Sequence, residues 1–321
     1  FFISHLLQAS DEVLESAVEA ALEAGYRHFD TARAYENEKA LGRALNKWIG
    51  DNPARRRELF VVTKLPPGGN CPELVPEYFE NSLKDLGLDY VDLYLMHTPF
   101  AFEHIPGDLH PKNPDGSMKI KHNLLYKSDR WVRRPRARVQ NDLPAIQKLK
   151  ESGLARHVGV SNLNGEQLSR ICEVAQPACL QIEIHALCQQ QNMIDKATSL
   201  NVPVVAYSPL GSRALAEALS KQTGRDYPDL LQLPIVVRLA EVHNKSPAQI
   251  LLRYALQRGI GAIPKSTNPI RIKQNISLWD FELTKQQMEE LKSLDRGEKG
   301  RICDFSFFQG IDKHPEFPFK P

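Results

Sequence analysis

Short runs rich in Val, Ile and Leu alternate along this chain with stretches whose apolar residues keep helical spacing, and this alternation limits the possible folds most. Strand-like runs fall at residues 1–7, 26–30, 59–64, 91–97, 157–160, 180–184, 202–207 and 261–263. Asp11 reads as the N-cap of a first helix with Val13, Leu14, Ala17, Val18, Ala21 and Leu22 on one face, and Gly25 ends it. Helical patterns follow at 36–48, 73–86, 143–151, 165–175, 192–200, 270–276 and 284–294, with a longer helical region broken at Pro247. Eight strands separated mostly by helices predict an α/β fold, the (β/α)₈ TIM barrel. A doubly wound sheet is the alternative, but no G-x-G-x-x-G follows any strand. Residues 1–321 are expected to form a single barrel domain. Three stretches break the rhythm: a long loop at 98–140, an irregular loop at 208–233, and an irregular, Phe- and Pro-rich tail near 296–321.

Composition narrows the class further. The chain is 42% hydrophobic and 25% charged, ordinary for a globular protein with a sizeable core. A net charge of +2 supplies no field for nucleic acid or an anionic membrane. The basic run at 130–138 reads as a solvated loop face. No apolar run reaches the roughly 18–20 residues of a membrane helix. Cys71, Cys172, Cys179, Cys188 and Cys303 are odd in number and lack metal-ligand spacing, so free thiols in a reducing, cytoplasmic setting are expected. Residues 1–7 lack the basic region of a signal peptide, although an exported form stays open.

Four ionisable residues stand at or near the C-terminal ends of successive strands. Asp30 closes one run, with Tyr35 five residues on; Lys64 closes the next, and His97 the third. In a βα barrel these ends share one face, where catalytic groups collect. Taken singly, each has an ordinary role: a helix cap, a packed ring, a strand-end charge, a core histidine. Together they form a possible proton-transfer site. A Lys beside an Asp stays protonated, and a cation near a phenol is expected to lower the tyrosine pKa. Such a Tyr exchanges protons near neutral pH, and a nearby His donates to a carbonyl oxygen. No serine–histidine triad or zinc motif competes.

These groups move a proton but supply no hydride, so a cofactor is required. Ser161, Asn162 and Gln181 offer hydroxyl and carboxamide groups for a nicotinamide amide, and Tyr207 offers a ring to stack on it. Ser208, Leu210 and Ser212 lie on a Gly-containing loop whose N–H groups suit a pyrophosphate. Lys265, Ser266, Thr267 and Asn268, with Arg271, place cations and hydroxyls at a helix start, a good 2′-phosphate site. Ordinary helix capping accounts for that stretch equally well.

The runs Gly25-Tyr26-Arg27-His28-Phe29-Asp30-Thr31-Ala32 with Tyr35, Asp92-Leu93-Tyr94-Leu95-Met96-His97, Val158-Gly159-Val160-Ser161-Asn162, Ala206-Tyr207-Ser208-Pro209-Leu210-Gly211-Ser212 and Ile263-Pro264-Lys265-Ser266 follow in one order. On these the chain resembles the aldo-keto reductase superfamily over nearly its whole length. The resemblance implies a monomeric barrel that reduces aldehydes or ketones with NADPH. It implies Tyr35 as proton donor, Lys64 and Asp30 as its tuning pair, and His97 as the orienting group. It assigns Ser161, Asn162, Gln181 and Tyr207 to the nicotinamide, and Lys265, Ser266, Thr267, Arg271 and Asn275 to the adenosine 2′-phosphate end. Residues 53–58, the 64–69 loop and residues 303–308 are most similar to insect 3-dehydroecdysone 3β-reductases, which implies a steroid ketone substrate.

The chain also departs from that pattern. It opens Phe1-Phe2-Ile3-Ser4-His5-Leu6-Leu7 where the family has a β-hairpin floor and a Thr-Trp strand end, so an absent or altered floor is expected. Thr98 stands where Trp is frequent, implying a less aromatic pocket, and Gln274 replaces a common Glu at the adenine end. Three functional readings follow: a reductase, a dehydrogenase run in the oxidative direction, and a non-catalytic NADPH-binding barrel with a regulatory or structural role.

Overall fold

The computed structural model describes residues 2–3, 10–121 and 138–319, the side chains of 2–3 and 138–143 excepted. Its strands are β1 (Phe2–Ile3), β2 (His28–Asp30), β3 (Phe60–Leu65), β4 (Val91–Met96), β5 (Ala155–Ser161), β6 (Leu180–Glu183), β7 (Val204–Tyr207) and β8 (Gly261–Ile263). They form one sheet in sequential order, and every neighbouring pair is parallel. Parallel neighbours need a crossover, and helices supply it, giving the expected (β/α)₈ barrel.

The period-two rule explains how the barrel changes character along its axis. The inward face of β3 reads Phe60, Val62, Lys64, and that of β4 reads Leu93, Leu95 before reaching His97. Cys179 precedes Gln181 and Glu183 on β6, and Val205 precedes Tyr207 on β7. Val62, Leu93, Leu95 and Cys179 form an apolar plug inside the barrel, with the polar residues above it. Gly159 makes room for that plug: a Cβ there would lie 2.8 Å from Leu95 Cδ2 and 2.9 Å from the Cys179 carbonyl oxygen. The outward residues of the same strands, Val61 and Leu65 among them, join the larger core against the helices. From α1 (Asp11–Glu23) that core takes Leu14, Ala17, Val18, Ala21 and Leu22, as their spacing predicts, whereas Val13, expected with them, is exposed at the edge of the face.

Some expected boundaries shift. Ser10, not Asp11, occupies the N-cap of α1, and Asp11 begins the helix. After α2 (Glu38–Ile49), the Arg-rich stretch expected as a turn contains a short helix, α3 (Pro53–Glu58). Pro53 pre-sets its first turn, and the Asn52 side chain accepts from Ala54 N. The helices α4 (Val75–Leu86), α5 (Arg138–Glu151), α6 (Gly165–Val174) and α7 (Gln191–Ser199) follow, α5 starting five residues before its expected position at 143. The 208–233 loop is not wholly irregular: it holds α8 (Arg213–Thr223), anchored by buried Ala216 and Leu219. The break at Pro247 separates α9 (Pro234–His243) from α10 (Pro247–Gln257), because Ser246 and Gln249 form a capping box there. The helices end with α11 (Pro269–Ile276) and α12 (Lys285–Lys292).

The first part of the 98–140 loop carries isolated antiparallel bridges, Phe102 to Ile120 and Lys112 to Met118. Phe100 and Phe102 there pack with Phe305, Ile311 and Met118, so the tail docks on this loop. The basic run at 130–138 falls mainly outside the described residues, and no side chain of it is described. The altered hairpin floor, with Leu6 and Leu7, likewise lies outside the described side chains. Among the described residues no helix is long and apolar enough to cross a membrane.

Candidate active site

The strand ends bring the four expected residues together. Lys64 and Asp30 are both fully buried and form an ion pair, with Lys64 Nζ donating to Asp30 Oδ1. The same ammonium donates to the Thr31 carbonyl oxygen at 2.7 Å. Asp30 Oδ2 accepts from Gln181 Nε2 at 2.7 Å, so β2, β3 and β6 share one polar network. Lys64 Nζ lies 4.9 Å from the centroid of the Tyr35 ring. The Tyr35 hydroxyl is 3.4 Å from His97 Nε2, and the two rings meet edge to face.

Local hydrogen bonds fix the turn that carries Tyr35. It ends a 3₁₀ turn, Arg33–Tyr35, followed by Glu36 in the left-handed region. Thr31 Oγ1 donates to Asn37 Oδ1 at 2.8 Å across that turn. Arg33 pairs with Asp85 and with Glu38, and Glu38 also accepts from Thr63 Oγ1 at 2.6 Å. Thr31, Arg33 and Glu38 thus brace the turn that carries Tyr35, a role that spacing along the chain does not reveal for Arg33. A cavity of about 250 Å³ lined by Arg33, Glu36, Tyr78, Asp85, His104 and Asp108 opens beside the turn, but none of the four residues lines it.

One expectation is overturned. The Tyr35 pKa is not lowered but held well above the usual tyrosine value, first by burial and then by the Asp30 carboxylate and Cys303. Burial disfavours the phenolate most, and Asp30 adds its negative charge while offsetting the Lys64 cation, so no net cation counters the burial. Burial also lowers the Lys64 pKa, against the pull of Asp30. The arrangement therefore keeps a protonated phenol beside an imidazole, as a proton donor requires.

A second group of polar side chains adjoins the first. Ser161 ends β5, and its Oγ donates to the Gln181 carbonyl oxygen at 2.7 Å. Asn162 has φ +60°, and its amide donates to the His97 carbonyl oxygen at 2.9 Å. The Tyr207 hydroxyl donates to Asn162 Oδ1 at 2.8 Å. The amide groups of Gln181 and Asn162 are thus engaged within the protein, while the Tyr207 ring is half-buried at the barrel mouth. Beyond β7, Ser208 Oγ and Ser212 Oγ are 2.9 Å apart, and Leu210 packs on the apolar clusters beneath. Gly211, at φ +76°, holds that loop close to Leu230, where a Cβ would come within 2.2 Å of Cδ1.

Lys265, Ser266 and Thr267 lead into α11, where Asn268 caps the helix by accepting from Arg271 N at 3.1 Å. Ser266 Oγ accepts from Asn268 N at 3.2 Å. Capping is therefore present, but the cations remain to be explained. Among the described residues neither Lys265 nor Arg271 pairs with a carboxylate, and partial burial and then Arg271 lower the Lys265 pKa. Two uncompensated cations at a helix N-terminus fit a dianionic phosphate. Gln274 is exposed on the same helix, and Asn275 is buried on it. Cys303, from the C-terminal tail, also contributes, a contact across the fold that no local motif signals. Its thiol lies against the Tyr207 hydroxyl, and burial pushes its pKa up to about 12.

The aldo/keto reductase family model matches residues 4–296. The chain belongs to the aldo/keto reductase family. It is 43% identical over 287 residues to aldo-keto reductase family 1 member A1 of Gallus gallus, covering 88% of this chain and 81% of that one. The solved aldose reductase of Schistosoma japonicum superposes with a TM-score of 0.81 at 35% identity, over 97% of this chain and 92% of that one. A Bombyx mori aldo-keto reductase solved in complex with NADP gives 0.81 at 33% identity, over 99% and 94%. This aldo/keto reductase is an enzyme of the oxidoreductase class, and its relatives include vertebrate and insect members alike.

Proposed function

We propose that this aldo/keto reductase reduces aldehydes and ketones to alcohols with NADPH, with Tyr35 as the proton donor. The observation that carries the reading is the Tyr35 hydroxyl 3.4 Å from His97 Nε2, with the Lys64–Asp30 pair against its ring. When bound, NADPH supplies the hydride. Tyr35 protonates the carbonyl oxygen, and His97 orients that oxygen by hydrogen bonding. Lys64 and Asp30 hold the ring's surroundings in place without a net charge. Ser161, Asn162 and Gln181 are the groups suited to a carboxamide, and Tyr207 to stacking on a ring. Ser208, Leu210 and Ser212 suit a pyrophosphate, and Lys265, Ser266, Thr267, Arg271, Gln274 and Asn275 the adenosine 2′-phosphate end.

For the substrate we take a 3-oxo-ecdysteroid or related steroid ketone. Support comes from the likeness of residues 53–58, 64–69 and 303–308 to insect reductases, and from Thr98 where a bulky Trp would narrow the pocket. A monomer in a reducing, cytoplasmic setting completes the proposal, in keeping with five free cysteines.

A panel of steroid ketones, sugars and short aldehydes assayed with NADPH tests this reading. Steroid ketones are expected to show the highest kcat/KM, and preference for sugars would remove the steroid proposal. Lys265→Ala and Arg271→Ala are each expected to weaken NADPH binding about tenfold or more, in line with a lost charge-assisted contact, and to leave NADH nearly unchanged. Equal losses for both cofactors would show that these cations do not read the 2′-phosphate.

A further inference from the structure

Glu183 ends β6, in register with Tyr207 on β7 and two residues beyond Gln181. Its carboxylate is fully buried, yet no substrate-facing role follows from the family-like motifs. The structure shows what it holds. Oε1 accepts from Ile302 N at 2.9 Å and lies 3.0 Å from His185 Nε2, while Oε2 accepts from Cys303 N at 2.8 Å. One carboxylate from the barrel therefore grips two consecutive peptide groups of the C-terminal tail, about 120 residues away in sequence.

The tail is seated tightly on either side of that grip. Arg301 is almost fully buried, with its guanidinium bound to Glu298 at 2.7 Å and lying 4.0 Å from the Phe319 ring centroid. Gly300 passes so close to the β6–α7 connection that a Cβ would lie 1.8 Å from the Leu187 carbonyl oxygen. Two residues beyond Cys303, Phe305 adopts φ +61°, a left-handed conformation that a bulky side chain rarely takes unless its surroundings hold it there. Its ring is held in place by Phe100 at 5.1 Å and Phe319 at 5.6 Å between centroids. Cys303 and Asp304 thus span a short segment fixed at both ends, and the hydrogen bond from Cys303 N to Glu183, which is in register with Tyr207, seats that segment beside Tyr207 at the barrel mouth.

We propose that Glu183 is a positioning residue for substrate selection: by holding the main chain of Ile302 and Cys303, it fixes the tail segment that walls the space beside Tyr35 and Tyr207. This rests on the reading of that space as the carbonyl site. A carboxylate is required because it accepts from three N–H groups at once. A carboxamide of the same size has one accepting oxygen, and its NH₂ would face another donor.

The test uses the intact NADPH-loaded chain with Glu183→Gln. Alkylation by N-ethylmaleimide, followed cysteine by cysteine by mass spectrometry, is expected to be about tenfold faster at Cys303, because local release of the tail exposes it. Cys179, buried in the apolar plug of the barrel away from the tail, should stay protected. KM for a 3-oxosteroid should rise about tenfold, with kcat for 4-nitrobenzaldehyde within about threefold of wild type. Arg301→Gln, which leaves the carboxylate in place but frees its flank, should shift both readouts the same way by less. It decides the matter alone if Glu183→Gln fails to fold. Unchanged Cys303 labelling, labelling of all buried cysteines together, or equal KM changes for both substrates would overturn the proposal. A wild-type enzyme inactive toward every carbonyl would instead refute the reductase reading, while the labelling still reports on the grip.

Discussion

Tyr35→Phe is expected to lower kcat for carbonyl reduction by about 10²–10⁴-fold, the usual contribution of a positioned general acid. The substitution removes one hydroxyl and keeps the ring under Lys64, so the fold and the apolar contacts survive. NADPH affinity, followed by quenching of protein fluorescence, should stay within about twofold, because no cofactor role falls to Tyr35. Turnover near that of the wild type would exclude Tyr35 as the donor. A pH profile sharpens the test. The phenol is held well above its ordinary value, so it stays protonated and kcat should be flat to about pH 9. A fall in reduction rate through neutral pH would mean that a different acid supplies the proton.

The second large effect concerns stability. Asp30→Asn leaves the Lys64 ammonium fully buried without its counter-ion, which is expected to cost about 3–5 kcal/mol. Adding Lys64→Met removes the stranded charge, and the double variant should therefore unfold at a higher temperature than Asp30→Asn alone. The pH dependence has a definite sign. The folded-state pKa of Lys64 already lies below the ordinary lysine value of 10.5, and losing Asp30 lowers it further. Between those two values the unfolded chain binds more protons, so the stability of Asp30→Asn should rise with pH through that window. Urea titrations at several pH values would measure both effects. A destabilisation under about 1 kcal/mol, or a double variant weaker than the single, would show that the pair carries little of the barrel's stability.

Much of this was legible in the sequence because parallel strands buried on both faces leave a strong trace. The inward positions of β3 and β4 run apolar, apolar, then ionisable, and local alternation alone placed Lys64 and His97 at one end of the barrel. The helix within 208–233 is not legible in the sequence because Gly211, Gly224 and flanking polar residues mask a short amphipathic segment. The direction of the tyrosine's pKa is hidden from the sequence for a different reason. Adjacency of Lys64 and Tyr35 suggests a net cation, whereas burial of the phenol dominates and the contact between Lys64 and Asp30 cancels the cation. Pairing is a matter of distances, which spacing along a chain does not contain.

The amino-acid order determined the strand and helix alternation, the shared end at which Asp30, Lys64 and His97 emerge, and the cationic start of α11. Those are local properties, fixed by side-chain period and turn chemistry. Only the tertiary structure decided that Gln181 joins Asp30, that Asn162 joins Tyr207, and that Glu183 holds a tail from the far end of the chain. Each of those links joins residues more than forty positions apart, and closing the barrel is what brings their hydrogen-bonding atoms within reach.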